Sequence, residues 1–473
     1  MRYIKNLFFL IISYFLNLLL NFFILKILTN SLNPEKVGIY FTYLGGSLIF
    51  SQILIMGLPF VFTRFIPYWE EKKENEKIFS LINFFIFFYF SILLFSIFII
   101  NSLRFGTKNL VLLSVLTTFL LSFLSIQNSI FNSFRRMEYS FIINFLYLFL
   151  FSLSIFFIRK KLTVEKIFIL QSSSLIITIF FGLFLFFPFK KFNLKRFLNV
   201  FEEIKGFWKI SFLLHFLSPF FDYMDRIIIA LFSGFTDVSL FTSMKKIIQP
   251  VRQILNYPEE AMAPEISAKI PNFEKVFIPF NILRKMLSIF SLHFFFLFII
   301  FGRDIIILIT NSFYTKAYPV LLILLFRIFI NALYSPYLLL YRSYGNITHF
   351  FYSDLLWVIS FLIFSYPLIK CFGIIGISLL YVFSTSLVLF INYFLFLPKY
   401  EKKIKDTFLE VFISSLSTIL SFTSLIFFLF YKNTFFSIFL FYLLFVLLSF
   451  IFKPLNKSEV EYIKNYLEKW KRR

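Results

Sequence analysis

Cysteine is almost missing from this chain. Cys371 stands alone among 473 residues, so no internal disulfide and no thiolate metal cluster can form. Histidine is nearly as scarce, with three copies, too few and too scattered for a metal site. Charge is thin as well. Asp, Glu, Lys and Arg make up 15% of the residues, against about 25% in a soluble domain. Acidic residues are the scarcer sign: 24 against 47 basic ones, a formal net charge of +23. What fills the sequence is apolar, 59% of it, with 81 Phe. A soluble fold of this size cannot hide that much apolar surface, because every folded chain still exposes a large share of itself. Disorder, fibrous repeats, disulfide scaffolds and soluble enzymes are excluded, and an all-α polytopic membrane protein is left. The heavy use of Phe, Ile, Lys and Asn reads as coding bias of an AT-rich genome. The basic excess fits membrane-flanking charge facing anionic headgroups. Nucleic acid is not the expected partner, since no basic run is interleaved with stacking aromatics on a polar segment.

About 20 mostly apolar residues span the hydrocarbon core. Such stretches occur near 7–28, 38–63, 78–101, 110–133, 139–158, 167–188, 208–232, 238–262, 277–301, 316–341, 347–369, 372–397, 408–431 and 433–452, about fourteen spans. The clusters Arg64/Lys72/Lys73/Lys77, Lys190/Lys191/Lys195/Arg196 and Lys399/Lys402/Lys403/Lys405, with the basic tail, set both termini in the cytoplasm. Arg159, Lys160, Lys161 and Lys166 form one discordant outer loop. No cleavable signal peptide is expected, because no small-residue cleavage site follows the first apolar run. Every outer loop is short. Between the sixth and seventh spans, Phe192, Phe197, Phe201 and Ile204 recur at helical spacing among Lys and Arg, predicting an amphipathic linker helix on the inner leaflet. The expected layout is a six-span lobe over 1–188, the linker over 189–207, a second six-span lobe over 208–397, two further spans over 398–452, and a cytoplasmic tail over 453–473.

The seventh span opens like the first. Ile12-Ser13-Tyr14-Phe15-Leu16 aligns with Ile210-Ser211-Phe212-Leu213-Leu214, and Phe22-Phe23 with Phe220-Phe221 at the same offset. In so biased a composition chance alone yields such matches. A true repeat of six spans would be parallel, with two pseudo-symmetric halves about a cavity.

Ionisable groups inside hydrocarbon are costly, so they face a cavity or pair with one another. The seventh span carries Asp222, Asp225 and Arg226 after Pro219, and the four-residue spacing of Asp222 and Arg226 predicts one shared helix face. The eighth carries Lys245, Lys246, Arg252, Glu259 and Glu260 between prolines. Arg64 ends the second span, Lys26 lies near the outer end of the first, and Arg327 and Asp354 lie within the tenth and eleventh. One reading is a wet, net-cationic chamber that holds a phosphate-rich headgroup by charge-assisted hydrogen bonds. The carboxylates would then balance the cations or carry coupling H+ or Na+. The other reading is that Lys26 and Arg64 snorkel to the interface and that Asp225, Arg226 and Arg327 form structural ion pairs. The prolines suit hinges lining a cavity, or plain packing kinks.

His215 and His293 fall inside spans and are assigned no ligand role. His349 and Asp354 form an H-x4-D pattern of the kind some acyltransferases use, with His as base and Asp orienting it. No companion phosphate-binding block accompanies it, and coincidence accounts for it. Asn346-Ile347-Thr348 is a formal glycosylation sequon that the topology places on the cytoplasmic side.

Several stretches carry a family resemblance. The run from Lys26 through Asn33-Pro34-Glu35-Lys36-Val37-Gly38-Ile39-Tyr40, with Gly57-Leu58 and Arg64-Phe65, resembles the opening of Wzx-type polysaccharide flippases. These belong to the multidrug/oligosaccharidyl-lipid/polysaccharide (MOP) exporter superfamily. Asp225-Arg226-Ile227-Ile228-Ile229, Val238-Ser239-Leu240-Phe241 and Pro264-Glu265-Ile266-Ser267 are similar to the start of that family's second half. Ala317-Tyr318-Pro319-Val320-Leu321 and Gly373-Ile374-Ile375-Gly376 fit it too. Two departures stand out: Phe41-Thr42 where small residues are usual, and Lys26 where Arg is commoner, which weakens bidentate phosphate binding there.

The resemblance implies a two-lobed transporter with no catalytic residues and no cofactor. By alternating access it would flip an undecaprenyl-pyrophosphate-linked oligosaccharide across the cytoplasmic membrane of a prokaryote, for cell-surface polysaccharide synthesis. It also implies membrane lipids, a polysaccharide polymerase and glycosyltransferases as partners. Arg64 and Arg226 would lead the pyrophosphate contacts, followed by Lys26, Lys245, Lys246, Arg252 and Arg327. Asp222, Asp225, Glu259 and Glu260 would be coupling or balancing carboxylates. One alternative is a MATE-like drug/cation antiporter of the same fold, which the basic inventory disfavours. Another is a membrane-embedded polysaccharide-assembly enzyme, for which the chain has neither a large outer loop nor a convergent catalytic set. A non-transporting scaffold is a third, against which the deep charges argue.

Overall fold

The computed structural model describes residues 2–85, 89, 91, 108–134, 136–185, 194–269, 273–343, 347–392, 447, 459–462 and 464. The spans expected over 408–431 and 433–452 therefore lie, residue 447 apart, outside the described residues. Among the described residues the regular structure is helical, without a strand, and eight helices are long and apolar enough to cross a membrane. The protein is a multi-pass all-α membrane protein.

The chain divides into two compact units. The first holds Met1–Ser243 with Leu308–Tyr314, and the second Met244–Ile307 with Thr315–Arg473. This division falls well after the expected linker.

In the first unit, α1 (Arg2–Ser31) leads by a short turn into α2 (Pro34–Ile55). Asn33 accepts a hydrogen bond from the Lys36 amide at 3.1 Å, Pro34 opens the helix, and Glu35 lies in its first turn against the positive end of the dipole. The second expected span then breaks. Met56 and Gly57 both adopt left-handed backbone (φ 51° and 69°), and α3 (Leu58–Glu71) starts afresh with Pro59 in its first turn. A break within a membrane frees carbonyls that need partners. Trp208 Nε1 donates to the Met56 carbonyl at 2.7 Å, and the Tyr89 hydroxyl donates to that of Leu54. Only glycine fits at position 57, because a Cβ there would meet the Ser211 backbone at 2.6 Å.

A fourth helix, α4, is described over 75–85. Beyond it lie α5 (Lys108–Ser133), α6 (Met137–Ile158) and α7 (Val164–Leu185). Helix α1 packs on α6, α2 on α5, and α5 and α6 both on α7. Polar pairs cement these contacts: Thr117 with Ser172 at 3.0 Å, and Asn128 with Asn144 at 2.9 Å.

Residues 194–207 are the first half of one continuous helix, α8 (Leu194–Asp222), that runs on into the seventh span. Its apolar face is covered by protein: Val200 and Ile204 are buried in a cluster with Phe62, Ile66 and Trp69 of α3 and Phe119, Ile126 and Ile130 of α5. Glu203 fixes the contact, accepting from Trp69 Nε1 at 3.1 Å and from Lys77 at 2.8 Å. A break at Tyr223 separates α8 from α9 (Met224–Phe232), and α10 (Phe235–Lys269) follows. Helix α9 and the start of α10 pack on α2 so closely that a Cβ at Gly38 would overlap the Phe235 carbonyl, 1.6 Å away. That contact explains why the compact unit extends to Ser243.

The second unit holds the rest of α10, α11 (Phe273–Ile309), α12 (Tyr318–Ser343) and α13 (Ile347–Ile391). Helix α13 is two helices folded at Gly373 (φ 57°, ψ −137°), as expected from spans at 347–369 and 372–397. Trp357 and Phe361 pack on Tyr381, Phe364 on Phe383, and Ser353 bonds Asn392, so the two limbs run antiparallel.

Candidate functional site

The second unit holds four of the expected cations, and Tyr381, fully buried, meets two of them. Lys245 of α10 donates to its hydroxyl at 2.9 Å. The Arg327 guanidinium of α12 lies 4.4 Å from its ring centroid and 5.6 Å from that of Trp357. Arg327 Nε donates to Thr385 Oγ1 at 3.4 Å, and Trp357 Nε1 donates to the same oxygen at 3.3 Å. An aromatic wall thus holds the half-buried Arg327 in place, by cation–π attraction and a hydrogen bond, while part of its surface stays open.

That open part faces a small cavity of about 40 Å³. Arg252, Leu255 and Asn256 of α10, Leu287 of α11, and Arg327, Ile328, Asn331, Ala332 and Ser335 of α12 line it. Two guanidiniums converge there with two side-chain amides and a hydroxyl, and among the described residues no carboxylate lines it. Such a site takes an anion: guanidiniums present planar donor forks that match phosphate oxygens, and the amides and hydroxyl complete the shell. Lys246, its side chain half-buried, sits on α10 beside Lys245.

The cations of the first unit are arranged otherwise. Arg226 is 6% exposed and its neighbour Asp225 fully buried. The Arg226 side chain lies along α2 where Gly45 leaves room; a Cβ there would come 2.9 Å from its Cδ. Its guanidinium is 5.1 Å from the Tyr223 ring centroid, and its Nε and Nη1 have no hydrogen-bond partner among the described residues. The helix break at Tyr223 falls between Asp222 and Arg226, interrupting the single helical face that their spacing predicts. Nearby runs a buried chain of hydrogen bonds: Tyr40 donates to Gln171 Oε1 at 3.1 Å, and Gln171 Nε2 donates to Tyr147 at 3.0 Å.

Lys26 donates to the Thr310 carbonyl at 2.6 Å, just past the C-terminus of α11, where a cation is favoured by the helix dipole. Asn311 Nδ2 donates back to the Thr29 carbonyl at 2.7 Å, and Ser239 and Tyr314 share a 2.7 Å hydrogen bond. Arg64 is exposed, its guanidinium 4.3 Å from the Phe207 ring centroid. Arg226 lies against Gly45 of α2, whereas Arg64 is carried by α3, beyond the break at Met56 and Gly57. The side chains of Glu259, Glu260 and His349 lie outside the described residues. Asp354 is half-buried on α13.

Sequence reasoning passed over Asn256, Asn331 and Ser335, which complete the cavity. It also passed over the adjacent cations Arg284 and Lys285 of α11, both buried. For the latter pair a signal existed, two consecutive cations inside an apolar span.

Comparison with solved structures identifies the class. The structure of the lipid II flippase MurJ in an inward closed conformation matches with a TM-score of 0.73 at 15% sequence identity, over 95% of this chain and 98% of that one. An inward-facing multidrug resistance MATE family transporter of the MOP superfamily matches at 0.61 and 14% identity, over 80% and 92% of the two chains. A MOP superfamily transporter from Pyrococcus furiosus, described as having a reversed polarity of its binding pocket, matches at 0.56 and 13% identity, over 82% and 94%. The fold is that of the MOP transporters. Among curated protein sequences none matches. A family model described as polysaccharide biosynthesis protein matches residues 3–269, and the chain belongs to that family.

Proposed function

We propose that the protein flips an anionic lipid-linked oligosaccharide, of the undecaprenyl-pyrophosphate type, across the cytoplasmic membrane of a prokaryote for cell-surface polysaccharide synthesis. Both termini are cytoplasmic in this reading. A sugar headgroup cannot cross hydrocarbon unaided, so it needs a polar path, while the lipid tail stays in the bilayer. The observation that carries the reading is the cavity where Arg252 and Arg327 converge with Asn256, Asn331 and Ser335 and, among the described residues, no carboxylate. These two arginines are the leading pyrophosphate contacts, with Lys245 beside them. Arg226 and Lys26 are engaged within the first unit and serve its packing, and Arg64 is a surface cation of α3. Alternating access moves the head, and Asp222, Asp225, Glu259 and Glu260 are the carboxylates available for H+ or Na+ coupling. Glycosyltransferases would supply the substrate and a polymerase consume it.

A drug/cation antiporter is the second reading, favoured by the likeness to MATE structures and disfavoured by the charge of the cavity. Reconstitution into proteoliposomes separates the two. Transport of a fluorescent undecaprenyl-pyrophosphate oligosaccharide, lost in the Arg252→Gln/Arg327→Gln variant, is the expected result. Uptake of a cationic dye, unaffected by that variant, would overturn the proposal.

A further inference from the structure

The end of the chain reads as a solvated basic tail, yet one of its residues is buried. Glu459 is 3% exposed, and both its oxygens lie 3.0 Å from Nζ of Lys285, itself 3% exposed. The partners are 174 positions apart. Residues 459–462 are helical, with Glu459 buried, Tyr462 half-buried, and Val460 and Glu461 exposed. Glu459 and Tyr462 are three apart and so share the face that docks.

Lys285 lies on α11 within a candidate span, Ile278–Ile309. A lone ammonium there is costly, and a lone carboxylate docked beside it equally so. Formed together they tolerate burial, and removing one takes from the other a buried partner of opposite charge. Pairs of this kind earn their place chiefly by fixing register, since apolar replacements stabilise as well or better. The register governs the level of the cavity wall. Leu287, two residues from Lys285 and on the other side of α11, lines the Arg252–Arg327 cavity, and Arg284 lies 5.2 Å from the ring of Tyr337, two residues beyond the cavity residue Ser335. The docked tail thus grips α11 at the level where that helix walls the cavity.

We propose that the C-terminal segment is a clamp within the second unit: Glu459, through Lys285, is a positioning residue that holds the α11 wall of the anion cavity. The cavity's ligand class rests on the function proposed above, whereas the docking of the tail does not.

The test uses the full-length protein in nanodiscs, with Cys371→Ser to remove the native thiol. Maleimide labelling of Tyr462→Cys reports tail docking, with Glu461→Cys as the exposed control. Titration with inorganic pyrophosphate reports the cavity. In Glu459→Gln, Tyr462→Cys should label at least tenfold faster while Glu461→Cys is unchanged, and pyrophosphate affinity should fall about fivefold. The charge swap Lys285→Glu/Glu459→Lys should restore both readouts, which a general loss of folding would not allow. Unchanged labelling in Glu459→Gln overturns the clamp. Faster labelling with unchanged pyrophosphate affinity overturns its positioning role. If the unmutated protein binds no pyrophosphate, the substrate reading fails together with the positioning role, and labelling alone then decides whether the tail docks.

Discussion

Arg226 and Arg327 are both arginines within apolar spans, and the structure treats them oppositely. Arg226 is enclosed by α2 and α9, fitted into the space left by Gly45, with two of its N–H-bearing nitrogens lacking a hydrogen-bond partner among the described residues. Arg327 is propped on Tyr381 and Trp357 with part of its surface left to a cavity that Arg252 also lines. Burial depth alone would rank Arg226 as the stronger functional candidate. Access reverses the order: a charged side chain serves a ligand only where the ligand can reach it. An intramembrane cation is thus informative through its surroundings, and both kinds of surroundings occur in one chain.

Replacement should split the two. Arg252→Gln/Arg327→Gln removes two charge-assisted contacts, each worth about 1.5–3 kcal/mol, so transport of the lipid-linked oligosaccharide in proteoliposomes should fall by more than about 100-fold. Thermal stability in detergent should hold. Arg226→Met should do the reverse. Replacing a buried, under-partnered guanidinium by an apolar side chain of similar length should leave the unfolding midpoint unchanged or raised, with transport affected far less than in Arg327→Met. A midpoint collapse in Arg226→Met would show that its charge is structurally required.

The joints of the first unit sharpen the comparison. Gly38→Ala puts a Cβ onto the Phe235 carbonyl, a backbone contact that cannot yield cheaply. A loss of at least about 1–3 kcal/mol is expected, read as a lower unfolding midpoint. Trp208→Phe strips the Met56 carbonyl of its indole donor at the break in the second span. About 1–3 kcal/mol should be lost, with the transport defect secondary to stability.

The smallest expected effect is one of pH. Burial alone would raise the Glu203 carboxyl, but hydrogen bonds from Lys77 and Trp69 outweigh it and hold the group below its ordinary value. Its contribution is therefore present above the ordinary carboxylate range and lost as pH falls through the lowered value. Lys77, raised chiefly by its hydrogen bond to Glu203 and then by that to Glu74, is charged throughout this window. Acidification should loosen α8 from α3 and α4, seen as faster backbone hydrogen exchange over 198–207. The Glu203→Gln variant should show weaker dependence.

Much of this architecture was legible in the sequence. Apolar run lengths located the spans, and the gap between those at 347–369 and 372–397 fell next to Gly373, where the two limbs fold. The residue types of the cavity were legible too, since Lys245, Arg252 and Arg327 stand out as charges in hydrocarbon. Their grouping was not. Which cations meet depends on how α10, α12 and α13 pack, and periodicity within one helix carries no information about its neighbour's face. For the same reason periodicity did not show that Phe201 and Ile204, the two members of the linker's apolar stripe whose side chains are described, pack with residues of α3 and α5. Nothing local could reveal that Glu459 is buried: its partner is a helix more than a hundred residues upstream, and its own surroundings are polar.

The account stands on an anion occupying the cavity of Arg252 and Arg327. The most direct measurement is titration of the purified, membrane-reconstituted protein with an undecaprenyl-pyrophosphate oligosaccharide, for the unmutated chain and for Arg327→Gln. Saturable binding that weakens at least tenfold in the variant, and that inorganic pyrophosphate displaces, is predicted. Equal binding by both proteins, or displacement by a cationic drug and not by pyrophosphate, would contradict it.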